Sequence, residues 1–174
     1  MREDWAHVDV VQLKYAGLVK PPSPDLQDSH AIKCALAAEV LRVTGKLRLE
    51  VSGWSMFPSV QPGDTLWIER APYDSVAEGD IVLFGRDQRF FVHRVARKSA
   101  AAVVTRGDAM AQADAPIGPD ELLGKVRFVM RNGKLLEPKR APRMMQRAVG
   151  AAMRRSEVAT RVVAKVHAMR REMK

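Results

Sequence analysis

The sequence predicts a mainly β protein, in which a compact antiparallel β domain lies between an N-terminal amphipathic helix and a C-terminal basic helix. Short β-forming runs alternate with glycine-containing turns in the middle of the chain, whereas the segments on either side show helical patterns. A length of 174 residues is enough for one such domain with extensions.

The N-terminal part divides into an extended segment and a helix. Prolines between residues 21 and 24 disfavour a helix there, so residues 1–27 are predicted to be extended. Gly45 provides a stop signal after residue 44. We therefore predict an amphipathic helix over residues 28–45. Its apolar residues recur at steps of three and four, at Ile32, Leu36, Val40 and Val43.

Residues 46–137 are predicted to form the β domain. The breaks between its strands contain Gly-Asp pairs or single glycines, which are typical of turns. Asn132-Gly133 separates two apolar runs and is a strong signal for a two-residue hairpin. The main β-like runs are residues 46–52, 65–70, 80–84, 90–96, 102–106 and 123–130.

The C-terminal part, residues 138–174, carries the positive charge of the protein. Residues 1–138 contain 18 Lys and Arg against 18 Asp and Glu, whereas residues 139–174 contain 11 against 2, so the tail holds the whole net charge of +9. It is rich in Ala, Arg, Met and Val, and is predicted to be a basic helix. The default expectation is that this helix packs on the rest of the protein while its charged side chains remain solvated. Peripheral contact with an anionic membrane is the alternative, and nucleic acid is the least expected partner.

The composition disfavours several classes of site. Cys34 is the single cysteine, so an internal disulfide and a thiolate zinc site are excluded, and Cys34 is expected in the core. His7, His30 and His167 lack the spacing of metal ligands, so no metal or other cofactor is expected. No run approaches the ~18–20 apolar residues of a membrane span, and no signal peptide is recognised. The expected location is cytoplasmic or peripheral to a membrane.

Four short segments carry the chemical signal. Each is weak alone, but together, in this order and with these gaps, they resemble the catalytic boxes of the signal peptidase I and LexA-type serine peptidase superfamily. They are Val51-Ser52-Gly53-Trp54-Ser55-Met56-Phe57-Pro58, Pro62-Gly63-Asp64, Gly79-Asp80-Ile81-Val82 leading to His93-Arg94-Val95, and Thr105-Arg106-Gly107-Asp108 with Asp114 beyond.

The base indicates the branch of the superfamily. Bacterial signal peptidases and LexA-type repressors pair the serine with a lysine, whereas archaeal and endoplasmic-reticulum signal peptidases have a histidine, as here at His93. The resemblance is closest to this Ser-His branch, and it implies Ser55 as nucleophile and His93 as general base. The acidic partner lies in the Gly-Asp segment or six residues beyond, which makes Asp114 the first choice and Asp108 the second.

The residue types suit this chemistry independently of the family. A serine hydroxyl needs a base to remove its proton, and an imidazole, with an unperturbed pKa of about 6.5, can accept that proton at neutral pH. A lysine would first need its pKa lowered by several units. A carboxylate bound to the other ring nitrogen keeps the imidazole in the accepting tautomer.

The resemblance also implies how a substrate binds. An extended peptide would add as a strand, with a small residue such as Ala on the acyl side of the scissile bond. The backbone N–H of Ser55 is the expected oxyanion donor, because Gly53 stands where some signal peptidases have a hydroxyl. The residues predicted to contact substrate are Gly53, Trp54, Met56, Phe57 and Pro58.

Simpler structural roles compete with these assignments. A serine near glycine commonly caps a turn, and a histidine after Phe90-Phe91-Val92 commonly lies partly buried in a strand. Gly-Asp pairs are common turn formers, so Asp64 and Asp80 are assigned to turns.

The sequence therefore favours a signal peptidase I-like serine endopeptidase that cleaves after a small residue. One alternative is a self-cleaving regulator of the LexA type, since Ala16-Gly17 precedes Ser55 and resembles the bond that such proteins cut. The other is a non-catalytic module that binds membrane or nucleic acid through the tail.

Overall fold

The computed structural model describes residues 7–8 and 24–141, with side chains described from residue 31 onward. One α-helix, α1 (Pro24–Thr44), precedes most of the strands, and a short 3₁₀ helix spans Tyr73–Ser75. The strands are β1 (His7–Val8), β2 (Lys46–Glu50), β3 (Thr65–Arg70), β4 (Ile81–Arg86), β5 (Arg89–Lys98), β6 (Val103–Arg106), β7 (Leu122–Arg131) and β8 (Lys134–Leu136).

The strands form one sheet in the order β1-β2-β3-β7-β4-β5-β6. β1 pairs with β2 in parallel, and the other neighbouring strands pair antiparallel. One end of β7 pairs with β4, while its other end pairs with β8. The predicted mainly β, antiparallel fold class is confirmed.

Two tight hairpins have a left-handed backbone at both central residues. Asn132 (φ 51°) and Gly133 (φ 73°) connect β7 to β8 at the position predicted for a two-residue turn. Asp87 (φ 51°) and Gln88 (φ 58°) connect β4 to β5 in the same way. The sequence did not mark this second turn, because neither residue is glycine and Gly85 was taken as the break. β4 instead continues through Gly85 to Arg86.

α1 packs on the sheet mainly through a face other than the predicted stripe, of which Val40, partly buried, packs against the core. Ile32, Leu36 and Val43 are 67, 58 and 68% exposed. At 100° per residue, the buried residues lie on nearly the opposite side of the helix from these three. The core-facing residues are Cys34, Ala37 and Leu41, all buried.

The helix also begins earlier than predicted. It starts at Pro24, because proline is tolerated in the first turn, where its missing N–H costs no helical hydrogen bond. The predicted helix of the basic tail, from residue 142, lies outside the described residues, as do residues 9–23. Within the part of the chain that is described, no helix is both long and apolar enough to span a membrane.

The buried side chains form two clusters, one on each face of the sheet. α1 covers the first, which includes Leu47, Leu49, Leu66, Ile68, Leu83, Val126 and Val129, together with Met56 and Val60 from the segment around Ser55. The second comprises Val76, Val82, Phe84, Val95, Val103, Ile117 and Leu122. Alternate residues of β4 enter opposite clusters, so β4 contributes side chains to the core on both faces of the sheet.

Asp64 and Asp80 lie in turns, as predicted, but both are also buried in ion pairs. Asp64 accepts the Gln61 N–H at 2.7 Å and binds Arg131 at the end of β7 at 2.6 Å. Asp80 accepts the Ala77 N–H at 2.9 Å and pairs with Lys125 at 2.7 Å. Each turn is thereby fixed to β7.

Replacing Asp64 by Asn should lower the free energy of unfolding by about 3 kcal/mol, because Arg131 would lose its buried carboxylate partner. Asp74→Asn is the matched control at an exposed position and should change stability by less than about 0.5 kcal/mol. Urea denaturation measures both. Equal stability of the two variants would contradict the importance of the buried pair.

Candidate active site

The segment that carries Ser55 follows β2 and is held in place by Met56, the residue after Ser55. Met56 is only 2% exposed and lies in the first core cluster. The turn around it is closed by hydrogen bonds from Phe57 N to Trp54 O and from Val60 N to Met56 O, both 3.0 Å. Met56 thus anchors Ser55, which is itself half-buried, at the border of the core.

The loop after β6 packs directly on the backbone of Ser55. Ala109 N donates to Ser55 O at 2.8 Å. A Cβ atom added to Gly107 would lie 2.5 Å from Ser55 O, so the close approach of the two chains requires glycine at this position. The nucleophile predicted from the sequence is therefore fixed to the loop that follows β6.

His93 lies on β5 beside the same loop. β5 pairs with β6 so that Arg94 lies opposite Arg106, the residue before Gly107. The His93 side chain is buried and packs against Phe84 and Phe91, with ring centroids 6.0 and 6.1 Å away. Gly107, which packs on Ser55, therefore follows the residue paired with Arg94, and His93 precedes Arg94 on β5.

Asp114 is the carboxylate in contact with His93. Its Oδ2 lies 2.7 Å from His93 Nδ1 and 2.6 Å from Thr105 Oγ1. An ionised carboxylate has no proton to donate, so Nδ1–H is the donor, and Nε2 of a neutral ring remains an acceptor. This is the tautomer that a general base requires.

The surroundings of Asp114 favour its ionised form. Burial acts to raise the pKa of Asp114, but the hydrogen bonds from His93 and Thr105 and the positive charge of Arg86 outweigh this effect, so the pKa lies below its ordinary value. The backbone of Asp114 is also fixed, because its N–H donates to Thr105 O at 2.8 Å.

Asp108, the second choice from the sequence, pairs with Arg94 instead. Arg94 Nε and Nη2 donate to the two Asp108 oxygens at 2.9 and 2.8 Å, and both side chains are nearly buried. Arg94 Nη1 also donates to Gly79 O at 2.9 Å and Lys139 O at 2.7 Å. Asp108 thereby binds the loop after β6 to β5.

The residues predicted to contact substrate differ in exposure. Four of them, Gly53, Trp54, Phe57 and Pro58, are half-buried and accessible in part. The rings of Trp54 and Phe57 lie 5.3 Å apart and form an aromatic pair beside Ser55. Met56 is buried in the core, so its burial does not support the expected substrate contact.

Sequence reasoning missed three residues around this site. Arg94 and Thr105 stand within the recognised segments. Their position in the same runs as His93 and Asp108 indicated that each makes a contact at the site. Arg86 lies outside those segments. No local pattern distinguishes it from other arginines, because its partners are 29 to 35 residues away in sequence.

Gly107→Ala should lower the free energy of unfolding by about 1–3 kcal/mol, because the new methyl group would collide with the Ser55 carbonyl. Gly118→Ala is the matched control, since its added Cβ meets no atom within 4 Å. Urea denaturation of both variants is the measurement. A Gly107→Ala protein as stable as the control would contradict the close packing.

Comparison with known proteins identifies the family of the chain. The family described as Peptidase S24-like matches residues 15–126, a range that contains Ser55, His93, Asp108 and Asp114. No curated protein matches the sequence. The family match covers more than half of the chain and fits the LexA and signal peptidase superfamily indicated by the four segments. The chain therefore belongs to the Peptidase S24-like family.

Proposed function

We propose that this protein is a serine endopeptidase that resembles signal peptidase I and cleaves an extended peptide after a small residue. The observation that carries the proposal is the 2.7 Å contact between His93 Nδ1 and Asp114 Oδ2. It is supported by the packing of Gly107 and Ala109 on Ser55. Membership of the Peptidase S24-like family supports peptidase chemistry in general.

In the proposed mechanism His93 Nε2 takes the proton of Ser55 Oγ as that oxygen attacks the scissile carbonyl carbon. The backbone N–H of Ser55 stabilises the resulting oxyanion, an effect worth about 2.7–4 kcal/mol per donor in other hydrolases. His93 then gives its proton to the departing amine, which leaves an acyl group on Ser55. Water, activated by the same ring, releases the acyl product and restores the serine.

The substrate is proposed to bind as an added strand beside the Ser55 segment. Trp54 and Phe57, partly accessible and in ring contact, supply apolar surface for its side chains. Gly53 permits close approach of the peptide backbone. We further propose that the basic tail, residues 138–174, makes peripheral contact with anionic membranes.

Purified protein should cut members of an extended peptide library that carry Ala or another small residue at the acyl position, and anionic liposomes should increase the rate. Ser55→Ala should abolish cutting, whereas Ser52→Ala, at an exposed serine of the same segment, should retain it. Products are identified by mass spectrometry. Failure to cut any peptide, with and without liposomes, would rule out cleavage in trans.

A serine-directed fluorophosphonate probe separates a catalytic from a non-catalytic protein. Labelling should require Ser55 and fall strongly in His93→Ala, because the base activates the nucleophile. Equal labelling of wild type, Ser55→Ala and His93→Ala would favour the non-catalytic binding module.

Asp114→Asn should lower kcat by up to ~10⁴-fold, the loss seen when the equivalent carboxylate of another triad is replaced and the imidazole takes the wrong tautomer. Asp120→Asn, at an exposed position, is the control and should leave kcat unchanged. Steady-state kinetics measure the effect. A small loss in Asp114→Asn would remove Asp114 from the mechanism.

Activity of the wild type should fall below about pH 6, because a protonated imidazole cannot accept the serine proton. The pKa of Asp114 is depressed in the folded protein. The contribution of Asp114 to the free energy of unfolding is therefore fully present above its unfolded pKa of about 3.9, and it is lost only as pH falls through the lower folded pKa. Asp114 therefore stays ionised across this range. A flat pH–rate profile down to pH 5 would argue against His93 as the base.

A second candidate function is self-cleavage of the LexA type. The family match begins at residue 15 and so includes Ala16-Gly17, the bond proposed for cutting. Protein incubated at mildly alkaline pH should then yield a fragment that begins at Gly17, and Ser55→Ala should not. An intact mass at every time point would exclude this candidate.

A further inference from the structure

Arg86, the last residue of β4, binds the chain directly after Asp114. Its Nη1 donates to Ala115 O at 3.2 Å and its Nη2 to Pro116 O at 2.8 Å. The same guanidinium forms a fork with Glu121, with Nε–Oε1 at 2.6 Å and Nη2–Oε2 at 3.0 Å. One side chain thus joins β4 to both ends of residues 115–121, the segment that follows Asp114.

The other side of this segment is bound to β6. Asp114 N donates to Thr105 O and Ile117 N donates to Val103 O, both at 2.8 Å. Glu121 also closes the segment on itself, because its Oε2 accepts the Gly118 N–H at 2.9 Å. The backbone that carries Asp114 is therefore fixed from two directions, by β6 and by Arg86.

Three elements present polar or charged groups to the Asp114 carboxylate. β5 supplies His93, β6 supplies Thr105, and β4 supplies the positive charge of Arg86. The first two donate hydrogen bonds to the carboxylate. Arg86 acts on it through the backbone and through its charge, which contributes to the lowered pKa of Asp114.

We propose that Arg86 is a positioning residue for the His93–Asp114 pair, which it maintains by fixing the two carbonyls after Asp114 and by placing a positive charge nearby. The inference rests on the proposed Ser-His-Asp mechanism. Arg86 contacts none of the groups assigned to proton transfer, and it acts only through Asp114.

Carboxyl ¹³C NMR tests the electrostatic part of the proposal without any substrate. The pKa of Asp114 should rise in Arg86→Gln, which removes the charge, and should rise less in Arg86→Lys, which retains it. Arg89→Gln is the matched control, because Arg89 is exposed and lies opposite Arg86 across the hairpin. An unchanged Asp114 titration in Arg86→Gln would overturn the electrostatic role.

Kinetics test the positioning role. Arg86→Gln should lower kcat, or the rate of probe labelling at Ser55, by about 10- to 100-fold with little change in KM, because misplacement of the base affects the reacting step. In an Asp114→Asn background the same substitution should lower kcat or the labelling rate by less than about twofold, since the effects of two residues that act through one group are not additive. Equal losses in both backgrounds would overturn the proposal.

Two further variants keep the test decisive. Should Arg86→Gln fail to fold by circular dichroism, Glu121→Gln weakens the same fork from the other side while it keeps the positive charge of Arg86, and it should lower kcat in the same sense. Absence of any effect in both Glu121→Gln and Arg86→Lys would then count against the proposal. A wild type that neither cuts nor labels would refute the proposed function, while the Asp114 titration would still decide the effect of Arg86.

Discussion

Consecutive side chains of a β-strand point to opposite faces of the sheet, and on β5 this rule separates His93 from Arg94. His93 turns towards Phe84 and Phe91 and reaches Asp114. Arg94 turns the other way and holds Asp108 with a two-pronged hydrogen bond. Two nearby aspartates of one loop are thereby assigned to different partners. The position of the segment that carries Ser55 depends on the same arrangement, because Gly107 and Ala109, on either side of Asp108, pack on Ser55.

Much of the fold could be predicted from the sequence because its strands are short, apolar and separated by strong turn formers. Residues 65–70 are a strand with the predicted bounds, and the Asn132-Gly133 turn lies where its chemistry requires. Helix α1 shows where this reasoning fails. Its sequence contains apolar residues on two opposite sides, and periodicity alone cannot tell which side packs on a sheet. The structure shows that the side with Cys34, Ala37 and Leu41 faces the core.

The contact between His93 and Asp114 could be predicted because both residues belong to short motifs. Ser55, His93 and Asp114 were selected by segment order and spacing, and the structure brings His93 and Asp114 into contact. Arg86 could not be found in this way. It meets its partners only when β4 and the chain after Asp114 come together, and that requires contacts between residues distant in sequence. Long-range backbone contacts of this kind leave no local pattern.

The described chain ends beside Arg94. Its guanidinium binds the carbonyls of Lys139 and Arg140, and the Arg140 carbonyl lies so close to Gly79 that a Cβ there would be only 2.5 Å away. The basic residues that follow are therefore attached at a fixed point, one residue from His93 along β5. A partner captured by those residues would meet the site in an intramolecular encounter, whose effective concentration depends on the length of the tether and not on the bulk concentration.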